Sequence, residues 1–70
     1  MTYRIREIKF YKDSIGSINI KMDEAIHGPV LENQLEIKLE ELRLRRIKKG
    51  WSLIDEKLIL DDMEISYTVE

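Results

Sequence analysis

The sequence predicts an α+β fold of order ββαββ, with one long amphipathic helix packed on a mostly antiparallel four-stranded sheet. Three observations carry this. Stretches near both ends alternate apolar with polar side chains, the period of a half-buried strand. Between them, residues 29–49 are built almost wholly from straight-chain Leu, Glu, Gln, Lys and Arg, which lose little rotamer freedom in a helix. The connections are short and polar, so strands should return as hairpins on either side of the helix.

The first strand is read in Tyr3-Arg4-Ile5-Arg6 and Ile8-Lys9-Phe10-Tyr11. The apolar phase flips between Ile5 and Ile8, which predicts a bulge near Arg6-Glu7. Asp13-Ser14-Ile15-Gly16-Ser17 has turn chemistry, and Ile18-Asn19-Ile20-Lys21-Met22 alternates again, closing a first hairpin. Asp23 to Gly28 reads either as a single helical turn capped by Asp23 or as a loop.

Residues 29–49 also show local alternation, in Leu35, Ile37 and Leu39, so a strand has to be weighed. Helix is favoured by the straight-chain composition and by two further features. Pro29 suits a first helical position, and Gly50 suits a left-handed C-terminal cap. Glu32, Glu36, Glu40 and Glu41 precede Arg43, Arg45, Arg46, Lys48 and Lys49, matching the helix dipole. At about 100° per residue, Leu31, Leu35, Leu39 and Leu42 share an arc of roughly 80°, while Val30, Ile37 and Leu44 lie nearly opposite. The helix therefore has two apolar stripes, and a small sheet can cover only one. Ile47 extends the second stripe, whereas Asn33 and Glu40 interrupt it, which favours a short contact over a long coiled coil. After Gly50, Trp51-Ser52-Leu53-Ile54 reads as a return strand continued or restarted at Lys57-Leu58-Ile59-Leu60, with Asp55-Glu56 as a turn or bulge. Asp61-Asp62 is a turn signal, and Met63 to Val69 alternates strictly.

Seventy residues accommodate one domain, 1–70, with a core too small to be comfortably stable. The absence of Cys removes disulfides, and a single His removes a Cys/His zinc site. Oligomerisation or a partner is then the expected support. Charged residues make up 37% of the chain, well above the usual quarter, so the surface is heavily charged. The longest apolar run is Leu58-Ile59-Leu60, which predicts no membrane span, no signal-peptide core and a cytoplasmic location. The net charge of -2 is uneven: residues 30–49 sum to +2 and residues 50–70 to -5, placing an acidic pole at the C-terminus.

No residue pattern predicts catalysis, a metal site or a cofactor. His27 has neither a nucleophile nor a ligand cluster around it, and reads as an exposed residue in a loop entering the helix. Asp55-Glu56 and Asp61-Asp62 lack the ligand spacing of a calcium loop and read as turns. Gly16 and Gly28 are isolated, so no phosphate-cradling loop is expected. Trp51 is expected in the core beneath the helix.

The expected function is a non-enzymatic protein-interaction module. It should form a homodimer through Val30, Ile37, Leu44 and Ile47, and present Asp55, Glu56, Asp61, Asp62 and Glu64 to a basic partner. A regulator or inhibitor carried by a virus or mobile element fits the size. The alternative is nucleic-acid binding through Arg43, Arg45, Arg46 and Lys49, against which stand a pI near 5.4 and acidic neighbours one helical turn away.

Overall fold

A computed structural model describes residues 1–12 and 19–70; the turn read at 13–17, and Ile18, lie outside the described residues. Its elements are β1 (Thr2–Lys12), β2 (Asn19–Leu31), a 3-10 turn (Glu32–Gln34), α1 (Leu35–Ile47), β3 (Ser52–Ile54), β4 (Lys57–Leu60) and β5 (Met63–Val69). The α+β class and the antiparallel pairing are as expected. The sheet, however, has five strands in the order β2-β1-β5-β4-β3, because Asp55-Glu56 forms a hairpin turn and splits the return strand into β3 and β4. The helical segment is also shorter than expected: a 3-residue 3-10 turn followed by a 13-residue α-helix.

The missing helical residues belong to β2, which continues through Asp23 to Leu31 against β1. Pro29 is therefore a strand residue, preceded by a cis peptide bond, and does not open the helix. An edge strand tolerates proline because an outward-facing N–H is not needed there. Gly28, at φ +136°, lets β2 pass close to β1: a Cβ at this position would stand 2.9 Å from the Tyr3 carbonyl oxygen. Gly50 fulfils its expected role at φ +100°. Its N–H donates to Ile47 O at 3.1 Å, and that of Trp51 donates to Arg46 O at 3.1 Å, the paired bonds of a Schellman cap.

The bulge expected at Arg6-Glu7 is absent, since β1 keeps an unbroken register with β5 from Ile5↔Val69 to Tyr11↔Met63. Among the described residues register shifts occur only in the β1–β2 pairing, between Tyr3/Ile5 and between Lys9/Phe10, where β2 supplies the extra residue. The apolar phase flips in β1 for another reason. Ile5, Glu7 and Lys9 alternate on the face beneath the helix, so two charged residues occupy core-side positions while Ile8 and Phe10 turn to the other face.

The core lies between that face and the helix. Trp51, Leu58 and Ile65 form its centre, with Leu60, Met63 and Tyr67 packed against them. Ile5, Val30 and Leu42 are also buried. Among the described residues the opposite face of the sheet carries no helix.

Two consequences can be measured. Gly28→Ala should destabilise the fold by well over ~1 kcal/mol, because strain and a backbone clash add, whereas Gly50→Ala meets no atom within 4 Å and should cost about 1 kcal/mol. Equal shifts in urea midpoint would contradict this. Glu56 sits at φ 66° in a two-residue hairpin turn after Asp55 at φ 49°, a site suited to glycine. Glu56→Gly should raise stability by roughly 0.5–1 kcal/mol; an unchanged or lower melting temperature would count against it.

Candidate interaction surfaces

The two stripes of the helix separate as the sequence implies, with one exception in each. Leu42 is buried and Leu35 and Leu39 are half-buried, so this stripe faces the sheet. Ile37 and Leu44 lie roughly 140–160° around the axis from Leu42. They are 66% and 47% exposed, and Ile47 is 39% exposed. Val30 does not belong with them. It is a β2 residue paired with Tyr3 and only 8% exposed, because the chain is still extended at that point. Leu31 likewise falls in β2 and is exposed.

Grooves flank the helix on both sides. One, of about 430 Å³, runs between α1 and the end of β2, and is lined by Gly28, Pro29, Val30, Gln34, Ile37 and Lys38. The other, of about 580 Å³, separates α1 from the β3–β4 hairpin, with Leu39, Leu44, Ile47 and Leu53 among charged Glu36, Glu40, Arg43 and Glu56. The exposed apolar stripe thus continues into a cleft whose far wall is Leu53.

Beneath the helix lies a polar cluster that the sequence did not announce. Glu7, buried on β1, accepts a hydrogen bond from Tyr67 Oη at 2.8 Å through Oε1, while Oε2 faces Arg46 Nη2 at 3.4 Å. His27 Nε2 stands 3.7 Å from the same Oε2. His27 is therefore a half-buried strand residue opposite Ile5, not an exposed loop residue. Arg46 and Lys9 each approach the Trp51 ring, at 5.9 Å from its centroid. A buried carboxylate is tolerable only when its charge is met, and Glu7 finds both a donor and a cation here. Burial, and then the bond to Glu7, hold the Tyr67 phenol well above its ordinary pKa. A small cavity of about 190 Å³ adjoins the cluster, lined by Glu7, His27, Leu42, Arg45, Arg46 and Lys49. The phase flip at Glu7 was the one trace of this cluster in the sequence.

The proposed acidic surface is not a single patch. Asp55 and Glu56 form the turn before β4, and Asp61 and Asp62 the turn after it, so four strand residues, about 13 Å, hold the two pairs apart. Glu64 is not displayed at all. It is buried on the helix-free face, between Phe10 and Ile59 in register, and bridged to Lys12 Nζ at 3.0 Å.

The basic residues also diverge. Arg46 turns inward to Glu7 and Trp51, Arg45 pairs with Glu41 at 2.7 Å, and Arg43 lines the groove towards β3. Arg45, Arg46 and Lys49 border the same small cavity beside His27, and Arg43 stands apart from them. On β1, Arg6 bridges Glu24 and Glu70, with the Glu70 contact at 2.5 Å. Lys21 and then Arg6 hold the Glu24 carboxyl below its ordinary range, and Arg6 does the same for Glu70.

Among the described residues no three His, Cys, Asp or Glu side chains are placed to hold a metal ion, and no helix is long and apolar enough to cross a membrane. No protein-family profile matches the chain, and no curated protein and no solved structure is significantly similar to it.

The Tyr67–Glu7 bond sets an alkaline limit. Because the folded phenol is the weaker acid, its contribution is complete below the unfolded value of about 10 and declines as pH rises above that value. Tyr67→Phe should cost about 1–3 kcal/mol at neutral pH and flatten the loss of stability above about pH 10. Urea unfolding across pH checks both; an identical alkaline slope in the variant would exclude Tyr67 as its source.

Proposed function

We propose that this chain is a non-enzymatic protein-interaction module that self-associates through the outer face of α1 and, as a homodimer, regulates or inhibits another protein by binding it. One observation carries the reading: Ile37, Leu44 and Ile47 stand in water on the side of the helix away from the sheet, although Leu35, Leu39 and Leu42 already supply the inward face. Large apolar side chains repeated on an outward stripe give up hydration when a second surface covers them. The flanking cleft with Leu44, Ile47 and Leu53 enlarges that surface.

Size points the same way. A core this small leaves the folded chain marginally stable, and a second copy covering the outer stripe adds the burial it lacks.

Light scattering at micromolar concentration tests the proposal. Wild type should run as a dimer, and Ile37→Glu combined with Leu44→Glu as a folded monomer, since both side chains are exposed and contribute little to the subunit core. A wild-type monomer would end this reading.

A further inference from the structure

We infer that the two copies meet with their α1 helices antiparallel, about a two-fold axis passing close to Glu40 and Glu41; this rests on the self-association proposed above and specifies its geometry. Charge order along the exposed helix selects this orientation. Flanking the outward stripe, the N-terminal half carries Glu36, Glu40 and Glu41 and the C-terminal end Arg43 and Lys48, while Lys38 borders the β2 groove and Arg45 and Lys49 lie on the side next to His27. Arg46 is removed from this surface because it turns in to Glu7.

A parallel pair would set acid beside acid in one half and base beside base in the other. An antiparallel pair sets each acidic half beside the basic half of its partner and opposes the two helix dipoles. It also brings Ile37 of one copy against Leu44 and Ile47 of the other, so the apolar stripe is complementary to itself in this orientation, as a two-fold interface requires. The like charges left near the axis are partly met within each chain, where Glu41 lies 2.7 Å from Arg45 and 3.9 Å from Lys38.

The edge of the sheet is a poorer route to the same dimer. β2 is the long edge strand, but it is guarded by two register shifts, by Pro29, and by the charges of Lys21, Asp23 and Glu24, the devices that discourage strand-to-strand pairing.

The absence of cysteine makes the orientation directly readable. Single cysteines are introduced in the full chain as Glu40→Cys, Asn33→Cys or Lys48→Cys, and oxidised under dilute conditions. The antiparallel pair predicts a disulfide-linked dimer for Glu40→Cys alone. Asn33→Cys and Lys48→Cys should link only when the two are mixed, because residue 33 of one copy then faces residue 48 of the other. Added salt should weaken the wild-type dimer several-fold, since the flanking attraction is screened. Efficient linking of Asn33→Cys or Lys48→Cys with itself, or a dimer tightened by salt, would overturn the orientation while leaving self-association through α1 intact. A dimer that survives Ile37→Glu with Leu44→Glu, or a wild-type monomer, would overturn both. Capture of a different protein by α1 with no self-linking would assign the face to that partner and likewise exclude the second copy.

Discussion

A helix of 13 residues laid across a five-stranded sheet can bury one face, and here that face is met by a core centred on Trp51, Leu58 and Ile65. The rest of the molecule follows from how little apolar area this provides. Leu42 is the one buried side chain of α1, so packing alone ties the helix down weakly. The Glu7 carboxylate, reached by Tyr67 from β5 and Arg46 from α1, adds a directional tie between the two layers. Arg46 also lies over Trp51, so the same side chain joins the polar contact to the apolar core.

The sequence was most informative where local chemistry and tertiary environment agree. Gly50 ends the helix because its position requires a left-handed residue and nothing crowds it. The inward stripe of Leu35, Leu39 and Leu42 follows from periodicity alone. Asp61-Asp62 turns the chain and Met63 to Val69 forms a strand, although Glu64 is buried and Val69 exposed against the expected alternation. The failures share a cause. Pro29 is equally at home at the first position of a helix and in an edge strand, and only the pairing of β2 with β1 decides between them. Once β2 is extended to Leu31, Val30 leaves the helical stripe and becomes a buried strand residue. Glu7 misled in the opposite sense, because a charged residue on the core side of a strand looks like a change of register until Tyr67 and Arg46, distant in sequence, are seen to meet it. The acidic turns are neighbours in sequence, whereas β4 places them at opposite ends of a strand.

The charged residues divide into two populations with different work. Those on the helix-free face and sheet edge are largely consumed internally: Arg6 with Glu24 and Glu70, Lys21 with Glu24, and Lys12 with Glu64. Exposed pairs of this sort contribute little stability. They do keep that face hydrated beside Ile8, Phe10 and Ile59, and they favour one register for β1, β2 and β5. The charges on the outer helix are instead sorted by sign along the axis and leave Ile37, Leu44 and Ile47 uncovered between them.

On the proposed reading, folding and association are one coupled equilibrium. A domain of this size gains little from its own core, so removing water from a second apolar stripe is a large fraction of the total. Stability would then depend on concentration, since dimerisation draws on the folded state alone. The same coupling gives the charge order a physical role beyond orientation. Apolar contact supplies the free energy without direction, and the sorted charges choose one of two alignments that apolar contact alone would scarcely distinguish. The inward tie between Glu7 and Arg46 belongs to this arrangement, because it fixes the rotation of α1 on the sheet and therefore which side chains face outward.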